Sequence, residues 1–163
     1  QAQTELWYQA FHQLPLAAQL VDGDTDAVRA YLGHFWHHWS GPDFQLSDDE
    51  LDTLVSDYAL PGAFCASIAW YRAGAGTIIE SLTELPPEGA AKIGIPTAVL
   101  WPRLDPLFPL QWADRLDQYF SDAELYPVDG VGHFTPLECP QRFAELVLGH
   151  VNTRPETGPA PGR

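Results

Sequence analysis

Methionine is missing altogether from this 163-residue sequence, and other residue types are scarce. A chain made from its own start codon begins with methionine, which is normally trimmed only ahead of small residues, and Gln1 is not one. The sequence is therefore expected to be part of a longer protein, released by cleavage of a precursor or cut out as a fragment. Bases are few: 8 Lys and Arg stand against 22 Asp and Glu, a formal net charge of −14. That balance argues against a phosphate-tracking surface or an anionic-membrane patch, so neither nucleic acid nor membrane is an expected partner. No apolar run approaches the roughly 20 residues a membrane span needs. Two cysteines, Cys65 and Cys139, are too few for a disulfide framework and lack a metal-type spacing. They do not fix the compartment, although the cytoplasm is favoured.

What is present is apolar bulk, 45% of the chain, enough for a sizeable core in one ordinary domain. Residues 1–80 read as helices. Thr25 or Asp26 can cap a segment to residue 39 with Val28, Tyr31, Leu32, Phe35, Trp36 and Trp39 at helical spacing. Ser47 and Glu50 form a capping-box pattern ahead of Leu51, Leu54, Val55 and Tyr58. A third helix is predicted from Ala63 to about Ala73, ending at Gly74, with Phe64, Ile68 and Tyr71 along one side. Residues 81–95, with Pro86, Pro87 and Gly89, read as a connector.

In the second half the period changes. Residues 96–101 read as a buried strand and 123–128 as a second strand, with Pro127 near an edge or strand end. Between them, residues 110–120 predict an amphipathic helix with Trp112, Leu116 and Tyr119 inward. Residues 141–151 predict a final helix, and the Pro- and Gly-rich tail 152–163 is expected to be disordered. A strand-helix-strand unit should be parallel, and two parallel strands cannot cover both faces and both edges of one another. The rest of the sheet is expected to come from another segment.

Each strand leads into a loop with one titratable residue, Asp105 after the first and His133 after the second. Open α/β sheets place ligands beyond the carboxyl ends of their strands. An aspartate bonded to one imidazole nitrogen fixes the tautomer and frees the other nitrogen to take a proton from water or a hydroxyl. Gly130 and Gly132 allow the backbone angles such a loop needs. Alone, either residue reads as a helix-capping Asp or a surface His; the matching strand ends favour a pair.

These loops resemble the carboxyl-terminal half of the α/β-hydrolase superfamily, over about residues 6–151. Asp105 resembles the acid of its triad and His133 its base, and Gly132-His133-Phe134-Thr135-Pro136 resembles its histidine loop. The implied fold class is α/β: a helical cap (1–80), a connector (81–95), then a strand-helix-strand-helix part of the core (96–151). The mostly parallel sheet would be completed by another chain. The superfamily's nucleophile lies upstream on a strand-to-helix elbow, and no Gly-x-Ser-x-Gly or Asp elbow occurs here. Catalysis is therefore expected only in complex with an amino-terminal half of the same hydrolase, and without metal or organic cofactor.

Two cap segments look like those of epoxide hydrolases. Trp7-Tyr8-Gln9-Ala10-Phe11 resembles the segment bearing their first active-site tyrosine, and Trp70-Tyr71-Arg72 the segment bearing the second. The resemblance implies that Tyr8 and Tyr71 donate hydrogen bonds to the oxygen of an epoxide opened by an aspartate. His133, oriented by Asp105, would then activate water against the ester. Trp7, Phe11, Trp70 and Phe134 would contact a small apolar substrate. Without the resemblance, Tyr8 and Tyr71 read rather as amphipathic core residues of an aromatic-rich cap. Haloalkane and fluoroacetate dehalogenases, which share the aspartate nucleophile and would hold the halide with donors such as the Trp7 or Trp70 N–H, remain alternatives, as do serine esterases or lactonases and a non-catalytic ligand-binding relative, which the missing elbow residue would separate. His34 and His38 could share a metal at i, i+4 spacing, but no third ligand is evident and a helix surface or cap rim is the better reading. His12 either lines the pocket or packs.

Overall fold

The computed structural model describes residues 2–73 and 83–152. The expected helix end at Gly74, the start of the connector at 81–82 and the tail 153–163 lie outside the described residues.

Among the described residues, seven helices make up the first half: α1 (Ala2–Glu5), α2 (Trp7–Gln13), α3 (Pro15–Val21), α4 (Thr25–Trp39), α5 (Asp48–Tyr58), α6 (Ala63–Ser67) and α7 (Ala69–Ala73). Their apolar faces meet in one cluster: Ala17, Val21, Val28, Val55, Phe64 and Ile68, with Phe11, Tyr31 and Leu32 against it. Burying a side chain such as Phe64 is worth roughly 1.5–3 kcal/mol, so this cluster is what holds α2–α7 together. The cap of α4 falls one residue ahead of expectation. Asp24, not Thr25 or Asp26, accepts the Ala27 N–H at 2.9 Å, because its extended backbone lets the carboxylate reach the first turn. The capping box at Ser47 and Glu50 is present in both directions. The single helix expected over 63–73 is instead two, broken at Ile68, where ψ flattens to 0° as the buried side chain turns into the cluster. Asp22, just past α3, accepts the Gly62 and Cys65 N–H groups at 2.9 and 3.0 Å and so ties α3 to the start of α6.

The second half is a parallel pair, β1 (Thr97–Pro102) and β2 (Ala123–Val128), in register from Thr97 opposite Ala123 to Pro102 opposite Val128. Between them lie a 3-10 turn, Leu110–Arg115, and α8 (Leu116–Tyr119). After β2 come α9 (Thr135–Glu138) and α10 (Pro140–Asn152), the latter packed along β1. Two expectations need correcting. The tighter 3-10 turn, closed by the Trp112 N–H on the Pro109 carbonyl at 2.8 Å, changes the phase of the segment and leaves Trp112 53% exposed. β1 is half-buried rather than buried, because one neighbouring strand and one helix cannot cover both of its faces. An apolar groove between β1 and α10 is left open, lined by Val99, Phe143, Val147 and Val151 among others. No helix among the described residues is long and apolar enough to cross a membrane.

Candidate functional site

Beyond β1 the ladder continues for two residues. Arg103 N–H donates to Val128 O at 2.9 Å and Leu104 N–H to Val131 O at 3.1 Å. The two loops therefore leave the sheet side by side, and Asp105 and His133 meet across them. His133 Nδ1 lies 3.0 Å from Asp105 Oδ2. The other oxygen, Oδ1, accepts the Leu107 and Phe108 N–H groups at 2.8 and 3.0 Å. Burial alone would push the Asp105 carboxyl up. The His133 hydrogen bond and the two backbone donors outweigh it and hold the group below the usual carboxylate range. An ionised carboxylate on Nδ1 makes that nitrogen the proton carrier, so Nε2 has the free lone pair. Nε2 has no hydrogen-bond partner among the described residues, and the side chain is 27% exposed. Both residues border a recess of about 260 Å³ with Phe108 and Thr135.

The histidine loop is also fastened to the helical half. His133 N–H donates to Trp39 O at 2.7 Å, where α4 ends. Glu138 Oε2 accepts the N–H groups of Gly41 and Gly132, both at 2.7 Å, and Oε1 accepts that of Phe134 at 2.9 Å. The backbones approach so closely that a Cβ on Gly132 would lie 2.2 Å from Trp39 O, and one on Gly41 2.1 Å from Gly130 O.

Tyr8 and Tyr71 come together on the helical side, ring centroids 5.8 Å apart and nearly perpendicular. They line a cavity of about 220 Å³ with His12, Tyr31, Trp39 and Trp70. Burial, with the neighbouring Tyr8 adding to it, pushes the Tyr71 hydroxyl up to about 12, so it remains an O–H donor at neutral pH. Trp39 joins the two regions: its ring lies 5.3 Å from Tyr8 on one side and 5.3 Å from His133 on the other. Of the expected substrate contacts, Trp70 lines the cavity, and Phe134 stacks on Trp36 at 3.9 Å beside His133. Trp7 and Phe11 do not line it. Trp7 stacks on Phe35 on the outer side of the helices, and Phe11 packs against the core cluster. Trp7 and Phe11, four residues apart, lie along one side of α2, while Tyr8 and His12, also four apart, lie along the adjacent side that borders the cavity.

Trp39 and Glu138 escaped the sequence reading of the site, whereas His12, expected to line the pocket or to pack, does both. Trp39 was visible only as one more apolar position of α4. His12 is buried, four residues after Tyr8 on the same face, with Nε2 2.6 Å from the Tyr31 hydroxyl. Glu138 reads locally as an ordinary first-turn acid, and its partner Gly41 is 97 residues away. His34 and His38 stack on one another at 5.3 Å, His38 bonds Glu5 at 2.7 Å, and no cluster of three or more metal-ligating side chains occurs among the described residues.

No protein-family model matches the chain. The epoxide hydrolase of Bacillus megaterium, solved with an inhibitor, superposes with a TM-score of 0.68 at 16% identity over 93% of this chain and 53% of that one. The fold is that of the carboxyl-terminal portion of an α/β-hydrolase. Another α/β-hydrolase match is a serine hydrolase involved in carbazole degradation, the CarC enzyme, with a TM-score of 0.56 at 19% identity over 82% of this chain and 49% of that one. In sequence, the chain is 24% identical over 132 residues to the 2-hydroxy-6-oxo-6-(2'-aminophenyl)hexa-2,4-dienoic acid hydrolase of Metapseudomonas resinovorans, covering 79% of this chain and 43% of that protein. The chain spans about half the length of the proteins it matches.

Proposed function

We propose that this chain supplies the cap and the acid-histidine pair of an epoxide hydrolase whose nucleophile lies on an amino-terminal portion. Helices α1–α7 would be the cap and the β1–α10 unit the end of the core, with the open groove beside β1 covered by the remaining sheet and its helices. An aspartate carboxylate on that portion attacks an epoxide carbon. The ring C–O bond breaks, and the departing oxygen takes a proton from Tyr8 or Tyr71, leaving an alkyl ester. His133 Nε2 then removes a proton from water while Asp105 stabilises the imidazolium. The hydroxide adds to the ester carbonyl, and collapse releases the diol and restores the aspartate. The proton held on His133 returns to the tyrosinate through solvent.

One observation carries this reading: Tyr8 and Tyr71 line one cavity, and the single ring of Trp39 lies between Tyr8 and His133. Paired phenol donors suit an oxygen that becomes anionic as its bond to carbon breaks, and an ester substrate would not require them at that place. A serine hydrolase reading is supported by the likeness to the serine hydrolase involved in carbazole degradation.

The test is Tyr8→Phe, Tyr71→Phe and the double variant in the whole hydrolase, assayed on styrene oxide, a p-nitrophenyl ester and a chloroalkane. Styrene oxide should be the substrate, each single variant should lose roughly 10–100-fold in kcat, and the double variant more than 1,000-fold, in line with the contribution of a positioned acid. Full epoxide turnover by the double variant would remove the tyrosines from the mechanism. Turnover of the ester alone would favour the serine hydrolase.

A further inference from the structure

We infer that Glu138 is a positioning residue that holds the His133 imidazole on Asp105 and sets its distance from the aromatic wall of α4. Three consecutive backbone N–H groups of the histidine loop are fixed from outside the loop's own turn. Gly132 and Phe134 donate to the two oxygens of Glu138 at 2.7 and 2.9 Å, and His133 between them donates to Trp39 O at 2.7 Å. The carboxylate then reaches across to Gly41 N–H at 2.7 Å, two residues past the end of α4. One side chain thus clamps both neighbours of His133 and the helix terminus that carries Trp39.

The two sides touch backbone to backbone at Gly41 and Gly132, where neither position has room for a Cβ. Such an interface has no soft side chains to absorb a shift. A small loss of registry in the clamp would therefore move the His133 ring relative to both Asp105 and Trp39. A carboxylate is the side chain this place demands, because all its partners are donors. An amide in the same pose would turn its NH₂ toward an N–H, either that of Phe134 or those of Gly41 and Gly132.

The inference rests on reading His133 as the general base, so its test has one readout that depends on turnover and one that does not. In the whole hydrolase, Glu138→Gln and the shorter Glu138→Asp are compared with wild type. The far-downfield proton resonance of His133 Nδ1–H reports its bond to Asp105 directly. Both variants should lose or shift that resonance. They should also lower kcat on styrene oxide at least 10-fold with KM within about twofold, and displace the His133-dependent limb of the pH profile. A merely structural role would lower Tm while leaving the resonance and the pH profile in place, and that result in either folded variant overturns the proposal. If wild type does not open styrene oxide, the epoxide reading fails on its own. The resonance still decides Glu138: its loss in the variants sustains the positioning role, and its persistence overturns it.

Discussion

Replacing His12 with glutamine should flatten the acid side of the stability curve. The imidazole is 6% exposed, its Nε2 bonds Tyr31 at 2.6 Å, and its Nδ1 is buried without a partner among the described residues. Burial first, and the Arg72 guanidinium second, lower its pKa from 6.5 to about 4. The folded state thus holds the ring neutral where the unfolded chain would protonate it. Between those two values the unfolded state binds more protons, so stability rises with pH. The contribution is complete above about pH 6.5 and is lost as pH falls from there to about 4. The difference, 6.5 − 4, is about 2.5 pH units, or on the order of 3 kcal/mol at ~1.4 kcal/mol per unit. Asp22, held low by the Cys65 and Gly62 N–H groups, and Asp105 act in a different window. Their stabilisation is present above the usual value of 3.8 and is lost only as pH falls below it. Urea unfolding at intervals from pH 7.5 to 4.5 separates the two. Glutamine keeps an acceptor for the Tyr31 hydroxyl but does not titrate, so wild type should lose up to about 3 kcal/mol more than His12→Gln across this range. Parallel curves would show that His12 is not held neutral by its surroundings.

Phe64, 2% exposed in the helical core, should cost about 3–5 kcal/mol when truncated to alanine, read as a lower midpoint in chemical denaturation. Gly33→Ala, on α4 with nothing within 4 Å of the added Cβ, should stabilise by roughly 0.4–1 kcal/mol. Gly132→Ala should do the opposite, destabilising by several kcal/mol as the new Cβ meets Trp39 O. Asp105→Asn leaves the volume unchanged but removes the charge that fixes the His133 tautomer, so kcat should fall on the order of 10⁴-fold, and Tm should fall as well because the charge-assisted bonds from Leu107 and Phe108 are weakened.

The parts of the fold that local chemistry decides were legible in the sequence. β2 falls at residues 123–128 as expected, the Ser47–Glu50 box opens α5, and α4 covers residues 25–39 because its apolar spacing is long and regular. The pairing of Asp105 with His133 is legible because both follow parallel strands, and the structure brings them to 3.0 Å. What was not legible depended on distant partners. The break at Ile68 has no glycine or proline to announce it and follows from where the core needs that side chain. Trp112 turned outward because a 3-10 turn and an α-helix share a composition but not a period. Glu138 could not be read as a clamp because Gly41, which it holds, lies 97 residues earlier in the chain, between α4 and α5.

The most direct test of the account is intact-mass analysis of the His133→Ala variant of the whole hydrolase after incubation with styrene oxide. The account predicts one covalent adduct per active site, heavier by the mass of the epoxide and mapping to an aspartate, because ring opening needs the tyrosines and only ester hydrolysis needs His133. Diol formed at the wild-type rate with no adduct would contradict it and remove the Asp105–His133 pair from the reaction.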